Sequence, residues 1–155
     1  MHPNEQALRD FYAAFDRRDG EAMATLYAPD ATFTDPVFEG LRDGEPADMW
    51  RMLTSRSADL TVELPQCSAD ETTGSARWIA HYTFAQTGRP VVNDVRSTFR
   101  FRDGLVVEQR DDFGFWGWSR QALGTPGLLL GWTPVVRGKV QGTARAGLAA
   151  FRSAR

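Results

Sequence analysis

A single aspartate in the N-terminal part of the chain gives the clearest indication of chemistry. Asp35 stands before Pro36 at the end of a predicted strand, among the apolar residues Phe33, Val37 and Phe38. Apolar surroundings penalise a charged carboxylate, so the pKa of Asp35 should rise and the group should exchange protons near neutral pH. The other interpretation is that Asp35 and Pro36 only turn the chain, because aspartate before proline commonly initiates a turn.

A second aspartate falls on an apolar face of the last predicted strand. A buried carboxylate is costly without a partner, so Asp111 favours a functional site. The alternative is a frayed strand end, where Asp111 is solvated or paired with an arginine. Strand alternation places five residues on the inner face and three on the outer face: Leu105, Val107, Gln109, Asp111 and Phe113 inside, and Glu108, Arg110 and Asp112 outside.

Other residue types that often perform chemistry are scarce. Cys67 is the only cysteine, which excludes an internal disulfide and a multi-cysteine metal site. With only His2 and His81 besides, the chain lacks the usual ligands of a zinc centre, and we predict no metal and no cofactor. His81 falls on the strand face opposite Trp78 and Tyr82, which argues against a catalytic role for it.

The elements that must position Asp35 and Asp111 follow from hydrophobic periodicity. Helices are predicted over residues 3–18 and 21–27 and from Pro46, where a proline suits the first turn. Strands are predicted over residues 31–34, 59–64, 75–85, 91–102 and 105–115. Asp103-Gly104 between two alternating runs is a strong hairpin signal.

Helices followed by consecutive hairpins predict an α+β fold. A cone-shaped, curved antiparallel sheet wraps around the N-terminal helices, which leaves an apolar interior open at one end, a natural site for a small molecule. We predict that aromatic side chains line this pocket and that Ser97 and Gln109 hold polar ligand atoms. The predicted lining residues are Phe11, Tyr12, Trp50, Tyr82, Phe99 and Phe113.

Composition fits one soluble domain. The chain has 155 residues, a length at which a domain can bury a core without disulfides. Of these residues, 42% are hydrophobic and 25% are charged, which is typical of a globular protein. No apolar run reaches the length of a membrane span, and the polar, acidic start is unlike a signal peptide. We therefore expect a cytoplasmic protein.

The charges are distributed unevenly along the chain. Residues 1–112 hold 20 acidic and 12 basic residues, whereas residues 113–155 hold six basic residues and no acidic one. The basic segment includes an apolar stretch at 127–132 and a helix predicted from Pro134. We expect this segment to pack on the protein itself or on a second subunit; a lipid surface is less favoured. Nucleic acid is disfavoured by the acidic balance and the lack of a binding motif.

Two stretches of the chain resemble the nuclear transport factor 2-like superfamily, and within it the SnoaL-like and ketosteroid-isomerase-like proteins. They are LRDFYAAFDRRDGEAMATLYAPDATFTDPVFEG and VVNDVRSTFRFRDGLVVEQRDDF. The resemblance covers roughly residues 5–120, so we expect a cone domain at 1–120 and a helical extension at 121–155 on the same domain. It implies a deep pocket, a dimer through the outer sheet face, and roles from isomerase and cyclase to non-catalytic binder.

The resemblance carries some site residues over and not others. Asp35 matches the general base of the ketosteroid isomerases. Their oxyanion hole needs a helix tyrosine and a protonated aspartate, but these positions match Phe11, with Tyr12 one residue away, and Ser97. A steroid isomerase is therefore disfavoured.

Asp111 matches a different set of relatives. Its place resembles that of acids in polyketide cyclases and limonene epoxide hydrolases. An epoxide hydrolase would also need an Arg-x-Asp pair inside the cone, and the candidates Asp94 and Arg96 fall outside it.

Two function classes remain open. In the first, Asp35 and Asp111 move a proton on a hydrophobic small molecule as an acid/base pair, without a cofactor, in an isomerase, cyclase or dehydratase type of reaction. In the second, the pocket only binds an apolar ligand, which the carboxylates orient.

Overall fold

The computed structural model describes all 155 residues and contains six helices and five strands. The elements are α1 (Pro3–Asp16), α2 (Gly20–Ala24), β1 (Tyr27–Thr34), α3 (Glu45–Arg56), β2 (Thr61–Ala69), β3 (Thr73–Phe84), β4 (Arg89–Arg102), β5 (Leu105–Asp112), α4 (Phe115–Leu123), α5 (Thr125–Leu130) and α6 (Pro134–Ser153).

The strands form one curved sheet in the order β1-β5-β4-β3-β2. Strands β2 to β5 are consecutive antiparallel neighbours, as their hairpin signals predict. The first strand differs. Strand β1 does not pair with β2, the next strand in the sequence, but lies at the other edge of the sheet, where it pairs in parallel with β5. The predicted α+β cone is confirmed, and this parallel pair brings the ends of β1 and β5 together.

The N-terminal helices are shorter than predicted. The side chain of His2 accepts a hydrogen bond from the Asn4 backbone at 3.0 Å and starts α1. The helix ends at Asp16, and Arg18 takes a left-handed φ of 61°, so the predicted end at residue 18 is wrong. The Asp19 side chain then caps α2 by accepting from Ala22 N at 3.1 Å.

The prediction that the second helix continues to Tyr27 is also wrong. That helix ends at Ala24, and Tyr27 is instead the first residue of β1, with its ring in the core. The strand is therefore twice as long as the predicted strand over 31–34. Pro29 does not end a helix here but lies within β1, beside an irregularity in the pairing with β5.

A register shift corrects the predicted inner face of β5. Arg100 pairs with Glu108 and the next residue, Phe101, pairs with Val106, which leaves Val107 as an extra residue. Val106 is consequently fully buried, whereas Leu105 and Val107 are only partly buried. Alternation holds beyond the bulge, where Gln109 and Asp111 point inward and Arg110 and Asp112 point outward.

Aromatic rings fill the interior of the cone. Phe11 and Phe15 from α1 meet Trp50 from α3 at ring-centroid distances of 5.8 and 5.0 Å, and Phe15 meets Trp78 from β3 at 5.3 Å. Edge-to-face contacts of this kind add to the free energy of burying large apolar surfaces. The deep interior among these rings is thus a packed aromatic core.

The C-terminal helices cover the open end of the cone. Helix α4 begins at Phe115, directly after the last strand, and α5 covers the start of the apolar stretch at 127–132, for which no helix is predicted. Phe115, Trp118 and Ala122 form a second apolar cluster with Val91 of β4. The chain has no helix that combines the length and hydrophobicity needed to cross a membrane.

Helix α6 is held against the acidic body of the same chain by arginines. Arg152 Nε lies 3.0 Å from Asp48 Oδ2, and Arg145 lies 3.9 Å from Glu45. Gln141 Nε2 donates to the carbonyl oxygen of Pro36 at 3.0 Å, next to Asp35. One face of the basic segment therefore packs in cis over the end of β1.

Candidate functional site

Asp35 lies at the open end of the cone, and its side chain stabilises a turn there. Its Oδ1 accepts hydrogen bonds from the backbone N–H groups of Val37 at 2.7 Å and Phe38 at 2.6 Å, the geometry of an Asx turn. The two interpretations of Asp35 are therefore compatible. Burial raises the pKa of Asp35 to about 6, although the two backbone donors and the charge of Arg137 act in the opposite direction.

Asp111 is buried more deeply, on the inner face of β5. Its Oδ1 accepts from Ser97 Oγ at 2.5 Å and from Gln109 Nε2 at 3.0 Å. Burial raises the pKa of Asp111 to about 7; these two hydrogen bonds lower it and the charge of Asp35 raises it further. The alternative of a solvated strand end does not hold, because Asp111 is only 4% exposed and has no arginine partner.

The pairing of β1 with β5 brings the two aspartates within electrostatic reach of each other. Phe33 pairs with Gln109 and Thr34 with Arg110, and Asp35 is the first residue after β1, at the end of the strand pair where Asp111 lies. Neighbouring strands lie roughly 5 Å apart. The charge on Asp35 accordingly disfavours the ionised form of Asp111.

Each carboxylate keeps one oxygen free of protein hydrogen bonds. Both recorded bonds to Asp35 and both to Asp111 end on Oδ1. No fully buried side-chain oxygen or nitrogen in the chain lacks a hydrogen-bond partner. The Oδ2 atoms must therefore touch accessible space, and a proton on Asp111 would reside on the oxygen that faces that space.

Tyr82 and Trp118 flank Asp35 at the same end of the cone. Trp118 Nε1 on α4 donates to the Tyr82 hydroxyl at 2.7 Å. Burial raises the pKa of Tyr82, the bond from Trp118 lowers it, and the charge of Asp35 raises it, so this hydroxyl lies within electrostatic reach of the carboxylate. Phe113, also predicted to line the pocket, is half-buried here.

Behind Asp111, a chain of hydrogen bonds runs into the core along two branches. In one branch, Tyr12 Oη at 3.2 Å and Trp78 Nε1 at 2.8 Å both donate to Ser97 Oγ. In the other, Trp50 Nε1 donates to Tyr27 Oη at 2.5 Å, and Tyr27 in turn donates to Gln109 Oε1. Both branches end on Asp111, so the core holds this acid in one orientation.

Tyr27 and Trp78 are site residues that sequence reasoning missed. Tyr27 was assigned to a helix end, although the alternation of its strand would have placed it inside. Trp78 was placed on the inner face correctly, but its indole N–H was not connected to Ser97. The signal in both cases is a buried aromatic residue with a polar atom, which needs a hydrogen-bond partner.

Six of the eight residues predicted to contact a ligand are buried among other side chains. Phe11, Tyr12, Trp50 and Phe99 belong to the packed core, and Ser97 and Gln109 bind Asp111 rather than facing open space. Only Tyr82 and Phe113 lie half-buried at the open end. Two open depressions of about 380 and 350 Å³ lie elsewhere, on the sheet exterior beside Asp94 and Arg96 and near the turn that joins β2 to β3.

The residues predicted to lie outside the cone are found there. His81 Nε2 lies 2.9 Å from Glu63 Oε1, with both side chains exposed. Asp94 pairs with Arg77 at 2.7 Å on the sheet exterior, so no Arg-x-Asp pair enters the cone. Cys67 is buried in the core, and burial raises the pKa of its thiol, which disfavours the thiolate.

Comparison with known proteins places this arrangement in a family. A model of the SnoaL-like domain matches residues 8–109. This match ends before Asp111 and before the C-terminal helices. No match to the chain was found among curated proteins.

Solved structures with the same fold are distant in sequence. A protein from Catenulispora acidiphila with a ketosteroid isomerase-like fold is 18% identical, with a TM-score of 0.66 over 83% of this chain and 97% of that one. An epoxide hydrolase from M. tuberculosis is 20% identical, with a TM-score of 0.65 over 82% and 92%. IdmH, a candidate polyketide cyclase from Streptomyces antibioticus, is 22% identical, with a TM-score of 0.64 over 80% and 100%. At these identities the likeness shows the fold alone.

Proposed function

This chain belongs to the SnoaL-like domain family, and on that basis we propose that it is a small acid/base protein that moves a proton on a hydrophobic small molecule. One observation carries the proposal. Two carboxylates from distant parts of the domain sequence, Asp35 and Asp111, lie buried within electrostatic reach of each other, with pKa values raised to about 6 and about 7. Groups that titrate near the working pH are the most effective proton donors and acceptors.

The two environments assign different roles to the two acids. Asp35 has the lower pKa and lies nearer the surface, so near neutral pH it is mainly ionised and acts as the base. Asp111 has the higher pKa and is about half protonated, so it acts as the acid. Ser97 and Gln109 both donate to its Oδ1, which leaves Oδ2 to carry the proton toward the ligand.

A carbonyl compound with an adjacent C–H bond fits these roles. Asp35 Oδ2 takes the proton from carbon, the electron pair of that C–H bond forms a carbon–carbon double bond, and the carbonyl oxygen takes the proton of Asp111. The enol returns to a carbonyl when its hydroxyl proton goes back to Asp111 and Asp35 returns its own proton to carbon, either to the original carbon or, in a conjugated enol, to the far end of the double bonds, which isomerises the ketone. In a cyclisation, the enol carbon instead bonds to a second carbonyl carbon of the same molecule, whose oxygen takes the proton held by Asp35 while the enol hydroxyl proton returns to Asp111. Neither reaction changes the net oxidation state.

The ligand would bind at the open end of the cone, where Tyr82, Phe113 and Trp118 surround Asp35. The deeper aromatic residues support the site by fixing Asp111 rather than by contacting the ligand. The contacts of α4 with Tyr82 and Phe113, and of α6 with Pro36, support binding of the ligand beneath these two helices.

Solvent-exchange measurements test this proposal without knowledge of the natural substrate. Cyclic aryl ketones are incubated with the protein in deuterated buffer near pH 7, and loss of the α-hydrogen signal is followed by NMR. Asp35→Asn and Asp111→Asn should each lower the catalysed exchange rate roughly 100-fold or more. Asp112→Asn is the matched control, because Asp112 is the exposed neighbour on the outer face of β5.

The alternative is a binding protein without chemistry. It predicts that ligand binding, measured by the quenching of tryptophan fluorescence, persists while no variant changes the exchange rate. Exchange that is equal in wild type and in both active-site variants would overturn the catalytic proposal.

A further inference from the structure

Six large apolar residues are exposed together on the C-terminal helices. We call Trp116, Leu128, Leu129, Leu130, Trp132 and Val135 the apolar patch; their exposed fractions run from 42% for Trp116 to 78% for Val135. The patch is contiguous, because Trp116 Nε1 donates to the carbonyl oxygen of Leu128 at 3.2 Å and Trp132 Nε1 to that of Leu129 at 3.1 Å. Elsewhere only Met1 and Val92 are exposed large apolar residues, so this clustering marks an interaction surface.

The polar atoms of the patch are already satisfied from within. Both indole N–H groups point inward to carbonyls of the last turn of α5. The carbonyl oxygen of Leu130 accepts from both Thr133 N at 2.9 Å and Thr133 Oγ1 at 2.6 Å. The final carbonyls of a helix are normally left to water. The last three carbonyls of α5 can therefore leave water with their hydrogen bonds intact, which favours contact with hydrocarbon.

The charges around the patch are of one sign. Arg120 lies over the ring of Trp116 at 4.9 Å, Arg89 contacts the start of α5 at Gly124, and Lys139 follows one turn after Val135. None of these three forms an ion pair, whereas Arg137, Arg145 and Arg152 on the other side of α6 bind Glu39, Glu45 and Asp48. No acidic residue occurs between residues 113 and 155.

A second copy of the chain is a poor occupant of this surface. The chain has no other exposed apolar cluster, so a dimer here would have to pair the patch with itself. That arrangement brings the unpaired Arg120 and Lys139 of both copies to one interface, where like charges repel. An anionic surface would neutralise them instead.

We propose that the apolar patch docks on an anionic lipid bilayer, with α5 and the start of α6 in the interfacial region. Tryptophan and leucine side chains beside unpaired basic residues are the composition of surface-bound helices. The sequence predicts that the whole basic segment packs on protein. In this proposal, the two sides of the segment instead have different partners. One side of α6 binds the acidic body and the other side, with α5, is free for lipid. This proposal stands independently of the acid/base function.

Vesicle sedimentation with the full-length protein tests the docking. Vesicles of phosphatidylcholine alone are compared with vesicles containing about one-third phosphatidylglycerol. The protein should sediment with the anionic vesicles, bind weakly to the neutral ones, and dissociate from the anionic ones as salt is raised. Arg120→Gln with Lys139→Gln should weaken binding roughly fivefold for each charge removed.

An apolar substitution and its matched control complete the test. Leu129→Glu should weaken binding at least about tenfold, because it removes apolar surface that the bilayer would bury and adds a negative charge. Thr61→Glu adds the same charge at an exposed residue of β2, away from the C-terminal helices, and should bind like wild type. Circular dichroism verifies that all variants remain folded.

Two outcomes would overturn the proposal. One is that wild type does not sediment with anionic vesicles at low salt, or that Leu129→Glu and Thr61→Glu sediment equally. The other is that wild type is a dimer in solution that Leu129→Glu converts to a monomer, which would show that a second copy covers the patch.

Discussion

Ser97 donates to Asp111 across neighbouring strands at 2.5 Å, and it is itself the acceptor for Tyr12 and Trp78. Tyr12 and Trp78 thus point their hydrogens toward the Ser97 oxygen, and Ser97 points its own hydrogen toward one carboxylate oxygen of Asp111. A core built only for stability could place an apolar residue at each of these positions. The arrangement instead fixes the orientation of an acid.

Loss of the Ser97 hydroxyl should affect both stability and titration. In Ser97→Ala, Asp111 loses a donor that favours its charged form, so its pKa should rise further above 7. Tyr12 and Trp78 lose their acceptor, and the free energy of unfolding should fall by about 1–3 kcal/mol. Urea denaturation and NMR titration of the Asp111 side-chain carbon measure the two effects. The exposed Ser68→Ala serves as control; equal behaviour of the two variants would show that Ser97 does not hold Asp111.

Tyr27→Phe tests the other branch of the network. The hydroxyl of Tyr27 accepts from Trp50 and donates to Gln109, so its removal leaves two buried groups without partners. We expect a loss of about 1–3 kcal/mol in the free energy of unfolding. Tyr82→Phe removes one bond at a half-buried position and should cost less. The account of this branch fails if Tyr27→Phe is as stable as wild type in urea.

Stability should fall as pH rises because of Asp111. Its pKa is about 7 in the folded protein, and an aspartate in an unfolded chain titrates near 3.9. Between these values the folded state holds the proton more tightly, so the stabilisation from this group is complete below about pH 4 and is lost as pH rises through about 7. Asp111→Asn should therefore flatten the decline in unfolding free energy between about pH 4 and pH 7. Asp112→Asn should keep the wild-type slope, and identical slopes in both variants would contradict this origin.

Helix α6 should influence the site through Arg137. The charge of this residue lowers the pKa of Asp35, so Arg137→Gln should raise it. The change should be small, since Arg137 is partly exposed and solvent screens its charge. Lys139→Gln removes the same charge two residues later and should leave Asp35 unchanged. NMR titration distinguishes the two, and a pKa of Asp35 that is insensitive to Arg137 would show that α6 does not act on the site.

Much of this architecture could be predicted from periodicity. In β4, alternation predicts one shared inner face, and all five of its members are buried: Val91, Val95, Ser97, Phe99 and Phe101. The same rule put His81, Asp94 and Arg96 outside. It failed at Leu105 and Val107, because a bulge shifts the phase of β5 by one residue and nothing in the local sequence marks it.

The site was harder to predict than the fold because it depends on pairing between distant segments. Both aspartates could be named from their strands, but their proximity comes from the parallel pairing of β1 with β5. The hydrogen bonds of Ser97 and Gln109 to Asp111 depend on side-chain packing that alternation cannot describe. The helical form of α5 was equally beyond the local pattern, whereas its apolar stretch looks exposed in the sequence and its leucines are exposed in the structure.

Titration of Asp35 and Asp111 by NMR, with carbon-labelled aspartate, tests the central claim most directly. The account predicts that the two groups titrate near pH 6 and pH 7 and that Asp35→Asn lowers the pKa of Asp111, because the neighbouring charge is removed. If both groups instead titrate near pH 4, and neither responds to the loss of the other, they do not share one site.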